Sequence, residues 1–297
     1  MRSLVFILSL WLAIAPALAD GVAVPGVPHA GQIGAEFSYP PVSGGGGCSQ
    51  ATALLARMDG SENTSAVTTA VCGMVTDGTF AALDGLQVYA INSTANALLN
   101  WIQNNYNGTV HGTLTFTANT KYTGDASTGY ISTGFTPSTA GGNMAVDNAS
   151  IGSCNLSSTI TYGYTDIGAY NTGGNSYSTI GDSSGTRIYT LNDQNFASYT
   201  TSSPLGAWTS SRTSSTSLSL YLNGNTTPVA TSATASGSLP VNNVITVFAQ
   251  GAATPTGFSG DGLAYIFWGK GLTATQVNQI YSRLHTYLQA VGETAGC

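Results

Sequence analysis

The C-terminal third constrains the fold most. It carries a half-buried strand, a tight-turn signal, a continuous apolar run and a capped amphipathic helix, in that order. Leu218, Leu220 and Leu222 alternate with Ser219, Tyr221 and Asn223, the period of a strand with one apolar face. Asn223-Gly224 then supplies the positive φ that a two-residue hairpin turn requires. The apolar run 263–268 stops at Gly269, and Thr273 with Gln276 predicts a capping box. Val277, Ile280, Tyr281, Leu284, Leu288 and Val291 fall on one helical stripe, with Gly292 at the C′ position. This order predicts a β-domain fastened by a terminal helix.

Upstream, two helical patterns lie between Cys48 and Val75. Leu54, Leu55 and Met58 belong to the first, Asp59-Gly60 breaks it, and Ala66, Val67, Ala70, Val71, Met74 and Val75 stripe the second. From residue 86 onward strand and turn signals dominate, at 86–91, 110–117, 130–135, 144–151, 159–164, 187–191, 205–211, 216–222, 243–248 and 263–268, with a short helical turn at 95–102. That spacing suits a sandwich, and no fixed repeat supports a solenoid or propeller. The expected fold is therefore mainly β: an antiparallel β-sandwich of jelly-roll type with a small N-terminal helical hairpin and a C-terminal helix. The expected organisation is a signal peptide at 1–19, a Pro/Gly-rich linker at 20–47, a helical hairpin at 48–84 and a sandwich with its terminal helix at 85–297.

The signal peptide rests on Arg2, the apolar stretch 4–14 and the small-residue site Ala17-Leu18-Ala19. The expected address is secreted or periplasmic, with no membrane span after signal cleavage. Four cysteines in such a chain, Cys48, Cys72, Cys154 and Cys297, read as two disulfides. Of the three possible connectivities, which the sequence alone leaves open, Cys48–Cys72 is favoured because the two would lie at the start of one helix and near the end of the next, and Cys154–Cys297 then follows only by elimination. Charged residues make up 7% of the chain, Lys+Arg 7 against Asp+Glu 13, for a net charge of −6. Nucleic acid is excluded as a partner, because phosphate binding needs clustered Lys and Arg. The surface must instead be built from Ser, Thr, Asn and Gly.

The segments "SLSLYLNG" and "GFSGDGLAYIFWGKGLTATQVNQIYSRLHTYL" resemble the LamG-like branch of the concanavalin A-like lectin/glucanase superfamily. Further stretches between residues 51 and 292, among them "NGTVHGTLTFTANTKYTG" and "YISTGFTPSTAGGN", are similar to a group of bacterial and phage-associated proteins. The resemblance implies a jelly roll that hosts lectins, adhesins, capsid parts and glycosidases alike. Calcium is the commonest metal in that branch, and Asp261 of Gly260-Asp261-Gly262 is the loop carboxylate it would use, although no dense acidic loop accompanies it and no cofactor is certain.

Catalysis is not the expectation. Gly181-Asp182-Ser183-Ser184-Gly185 matches the nucleophile-elbow pattern, but a strand rather than a helix follows it. A glycoside hydrolase needs two carboxyls across the scissile bond. The glucanases carry them in an E-x-D-x-x-E strand, whereas Glu36, Glu62 and Glu293 lie off the predicted strands. Sugar binding without cleavage needs aromatic faces beside amides and carboxylates. The stretch 161–177 offers Tyr164, Asp166, Tyr170 and Asn171, and Arg212 is one of few cations. The expected function is thus a non-catalytic, lectin-like or adhesion module for a glycan or cell-surface polysaccharide. A structural or virion-like surface protein with a jelly-roll scaffold is the alternative.

Overall fold

A computed structural model describes residues 47–158, 164–171, 177–183, 186–193, 197–240, 242–293 and 296–297, which fall in a compact unit spanning Val42–Cys297. The predicted signal peptide, and the linker apart from Gly47, lie outside the described residues. In chain order the elements are α1 (Ser49–Leu55), α2 (Thr64–Thr76), β1 (Leu83–Val88), α3 (Thr94–Ala97), β2 (Thr109–His111), β3 (Leu114–Thr117), β4 (Lys121–Gly124), β5 (Tyr130–Ser132), β6 (Ala149–Asn155) and β7 (Tyr164–Tyr170). They continue through β8 (Tyr177–Ser183), β9 (Thr186–Asp193), β10 (Ala197–Thr200), β11 (Gly206–Ser214), β12 (Ser217–Leu222), β13 (Ala230–Ser232), β14 (Thr246–Val247), β15 (Gly262–Gly269) and α4 (Ala274–Ala290).

The strands form the expected sandwich. One sheet runs β13-β12-β11-β6-β15-β4-β3, with β1 also paired to β15, and the other runs β10-β9-β8-β7-β14-β5-β2. β15 pairs with β6 along one edge and with β4 and then β1 along the other. A strand enclosed on both edges and both faces has no need to alternate, which explains the unbroken apolar run and why all of β15 is buried. Its Trp268 meets Phe135, which follows β5 of the second sheet, at 5.7 Å, while α4 is fastened to the turn after β12 and to the segment after β1.

The helical layer is fixed by specific contacts. α4 begins with the predicted capping box on Thr273 and Gln276. Tyr287 packs edge-on against Trp101 at 5.2 Å and donates its hydroxyl to the Ala90 carbonyl at 3.1 Å. Arg283 pairs with Asp77 at the end of α2 at 2.8 Å. Both expected disulfides are present, Cys48–Cys72 joining the N-cap of α1 to α2, and Cys154–Cys297 tying the chain end to β6.

Four local readings need correction. Asn223 and Gly224 do take positive φ, 50° and 64°, but the return strand starts only at Ala230, so the connection is not a two-residue hairpin. The turn serves the helix instead. Asn278 Nδ2 donates to the Gly224 carbonyl at 2.9 Å, and a Cβ on Gly224 would lie 2.5 Å from the Tyr281 ring. The expected strand 110–117 is two strands in different sheets, broken at Gly112, where φ is +64° and a Cβ would come within 2.2 Å of the Thr128 carbonyl. The helical turn expected at 95–102 shortens to α3, because beyond it Trp101 N–H donates to Leu86 O and Asn100 Oδ1 accepts from Leu86 N–H. Strands β4, β8, β10 and β13 carry too few apolar residues to stand out by periodicity.

Candidate functional site

β7, β8 and β9 bring charged residues into the space between the sheets. β7 carries a bulge between Thr165 and Ile167 where it pairs with β8. A bulge inserts an extra residue and re-aims its side chain, and here it turns Asp166 inward. Arg187 of β9 reaches Asp166 Oδ2 at 2.5 Å and Asp182 Oδ1 of β8 at 2.7 Å, and its guanidinium stands 5.1 Å from the Trp208 ring centroid. From the facing sheet, Ser153 donates to Asp166 at 3.0 Å, and Asn155 Nδ2 donates to Asp166 at 3.2 Å and to Asp261 at 3.1 Å. None of these six polar residues is more than 3% exposed.

Three carboxylates here face one guanidinium in a medium that solvates charge poorly, so the acids cannot all ionise cheaply. Burial is the main cause that pushes Asp182 up to about 6, against the pull of Arg187 and with a further push from Asp166. Burial, then Asp166 and Asp182, push Asp261 up to about 7, with Asn155 and Arg187 opposing. Burial pulls Arg187 down, but Asp166 and Asp182 more than offset it and hold the guanidinium protonated.

A pH dependence follows. Both acids keep their protons in the folded state over a range where the unfolded chain has lost them. Their contribution is fully present below the ordinary carboxylate pKa and is lost as pH rises through about 6 to 7. The urea midpoint is therefore expected to fall between pH 5 and pH 8, on the order of a few kcal/mol in all, and Asp261→Asn is expected to flatten that slope. A midpoint constant or rising across this range contradicts the raised acids.

The remaining expected site residues divide between surface and interior. Tyr164 opens β7, and its side chain lies outside the described residues. Tyr170 and Asn171 are partly exposed at the far end of β7, where Tyr170 N–H donates to Gly251 O at 2.7 Å and its carbonyl accepts from Asn243 Nδ2. Asp166, expected to face a ligand, faces the core instead. Arg212 is likewise interior: its Nε donates to Leu191 O at 2.8 Å, one terminal nitrogen donates to Ser215 O at 2.7 Å and Thr234 O at 3.0 Å, and Asp193 lies 3.9 Å away. Nε and one terminal nitrogen are spent on backbone carbonyls while the other faces Asp193, a structural role.

Asp261 does not fit a calcium ligand. Calcium takes six to eight oxygens, whereas this carboxylate is turned inward onto an amide N–H, near the positive charge of Arg187. Among the described residues no group of three His, Cys, Asp or Glu side chains could hold a metal.

The surface carries a feature that spacing did not reveal. β2 is the outer strand of its sheet, and its three residues are all exposed. His111 sits opposite Tyr130 of β5, and their rings stack 4.6 Å apart at an interplanar angle of 9°. Phe258 extends the row, 6.3 Å from Tyr130 and tilted by 48°. Val110, also on β2, is the exposed large hydrophobic among the described residues. Beside the row, Asp125 accepts from the N–H groups of Ser127, Thr128 and Gly129 at 3.0, 2.8 and 2.7 Å and from the Thr128 hydroxyl at 2.6 Å. The sequence marks His111 as a strand residue, but its pairing with Tyr130 depends on the sheet crossing at Gly112.

No family model matches the chain, and no curated protein does either. Similar solved structures exist. The chain is similar to domain 4 of AbnA, a GH43 extracellular arabinanase from Geobacillus stearothermophilus solved with arabinotriose, at 12% identity and TM-score 0.50, over 67% of this chain and 98% of that one. It is also similar to the binding domain of botulinum neurotoxin serotype D, at 13% identity and TM-score 0.48, over 68% of this chain and 52% of that one. Trypanosoma rangeli sialidase gives 12% identity and TM-score 0.43, over 73% of this chain and 38% of that one. The chain thus spans about half the length of the neurotoxin domain. At 12% identity the likeness to the arabinanase domain shows the fold alone, a β-sandwich.

Proposed function

We propose that this protein is a secreted or periplasmic, non-catalytic carbohydrate-binding module of LamG-like type, which recognises neutral glycans. The observation that carries the reading is where the charge goes. In a chain already poor in charge, Asp84, Asp166, Asp182, Arg187, Asp193, Arg212, Asp261 and Glu293 are all buried, so the surface presents chiefly hydroxyls, amides and aromatic edges. Such a surface suits an uncharged polyol, which offers C–H patches and hydroxyls and no ionic anchor. The sandwich it shares with an arabinanase domain solved with arabinotriose supports the reading. Glycoside cleavage would need two carboxyls facing a bound sugar, and the Asp166–Asp182–Asp261 group points between the sheets instead. Two disulfides suit an oxidising compartment, and no described helix is long and apolar enough to cross a membrane.

A glycan array probed with the oxidised full chain, with calcium and again with a chelator, tests this. Selective binding to neutral glycans, unchanged by the chelator, is the expected result. Absence of binding to every arrayed glycan would sink the reading.

A further inference from the structure

The geometry points to the His111–Tyr130–Phe258 row, flanked by the Asp125 turn, as the glycan-binding platform, with a neutral sugar ring of a polysaccharide as its ligand. This inference rests on the carbohydrate-binding reading above and gives it a place. Aromatic rings in a folded chain normally pack inward, as Trp101, Trp208, Trp268 and Phe135 do here. His111, by contrast, is exposed, and Tyr130 and Phe258 are only partly covered. His111 and Tyr130 share a register pair between the outermost strand of their sheet and its neighbour, so the two rings are held by backbone pairing as well as by stacking. A sugar ring has an apolar C–H face that packs on such a surface, and its rim hydroxyls need acceptors and donors beside it.

The Asp125 turn supplies them. Ser127 and Thr128 are exposed hydroxyls, and the four donors on Asp125 hold its carboxyl well below the usual carboxylate range, the Thr128 hydroxyl first among them. The carboxylate is thus an ionised acceptor at any physiological pH. The turn is positioned against the row by close backbone contacts. A Cβ on Gly112, next to His111, would come within 2.2 Å of the Thr128 carbonyl, one on Gly129 within 2.0 Å of the Thr113 carbonyl, and Ala126 N–H donates to Ser259 O beside Phe258 at 3.3 Å. A fixed negative charge at the rim disfavours uronates and sialic acids, which fits a neutral ligand.

Affinity electrophoresis of the full oxidised chain through gels containing arabinan, galactomannan, xyloglucan or polygalacturonate tests the platform. The variants are His111→Ala, at an exposed ring; Tyr130→Leu, which keeps apolar bulk while removing the ring; and Thr231→Ala on β13 as a remote control, each checked for an unchanged thermal midpoint. Retardation of the wild type by at least one neutral polysaccharide and not by polygalacturonate is expected. Weakening of about tenfold in each ring variant, but not in Thr231→Ala, is expected with it. Wild-type retardation that His111→Ala and Tyr130→Leu leave intact overturns the platform while carbohydrate binding stands. Retardation by polygalacturonate alone overturns the neutral ligand, and no retardation in any gel overturns both the platform and the reading beneath it.

Discussion

Replacing Arg187 with methionine is expected to destabilise the fold by about 3 to 5 kcal/mol, or to prevent folding altogether. The guanidinium is fully buried and bonded to two carboxylates, Asp166 and Asp182, on two other strands. Methionine matches much of the stem's volume, so the loss isolates charge from packing. An intact buried ion pair contributes little net stability, because desolvation offsets the attraction. Removing one partner is different, since it leaves carboxylates buried without compensation. Among the described residues Asp182 Oδ2 has no hydrogen-bond partner, and Oδ1 relies on Arg187. The triple variant Arg187→Met, Asp166→Asn, Asp182→Asn should recover much of the loss, because it removes the charges together. Equilibrium urea unfolding reads both. A cost below about 1 kcal/mol for Arg187→Met would mean that water reaches the cluster and that the interior is not the closed network described.

The second large effect concerns the chain end. Removing the Cys154–Cys297 bridge by a double Cys→Ser substitution is expected to cost about 5 kcal/mol, against about 3.5 kcal/mol for Cys48–Cys72, by loop-closure entropy. The difference arises from the sequence separations, 143 against 24. Native contacts point the same way. Cys154 lies within β6, between β11 and β15, so the bridge fastens the C-terminus to a central strand of the sandwich. His285 Nδ1 also pairs with the Cys297 carbonyl at 2.6 Å, so α4 and the terminus are held as one piece. The bridge between α1 and α2 joins two short helices at the rim. Thermal or urea unfolding of the two double variants ranks them, and equal or reversed costs would show that the terminal bridge is not what anchors α4 to the sheet.

How much of this was legible in the sequence depends on whether the deciding interactions are local. The capping box at Thr273 and Gln276, the helical stripe through Leu288 and the apolar run of β15 are read from spacing, and all are present. The alternation of Leu218, Leu220 and Leu222 marks a true strand whose leucines sit opposite Arg212, Ser210 and Trp208 on β11. What spacing could not supply was register between distant segments. Asp166 reads as a loop-flanking carboxylate beside tyrosines until a bulge in β7 turns it inward onto Arg187, 21 residues away. Arg212 reads as a scarce surface cation until its donors are seen on Leu191, Ser215 and Thr234. His111 and Tyr130 are an unremarked histidine and tyrosine until β2 and β5 are placed side by side. A buried charge carries the same letter as an exposed one, and only the sheet pairing decides which it is.

The most direct test of the central claim, a sandwich that turns its carboxylates inward and binds neutral glycans without cleaving them, reads binding and cleavage in one tube. The oxidised full chain is incubated with insoluble and soluble neutral polysaccharides, and depletion of protein from the supernatant is measured alongside the appearance of reducing ends. Depletion on a neutral polysaccharide with no rise in reducing ends is the predicted result. New reducing ends, or protein that stays in solution with every polysaccharide, would contradict it.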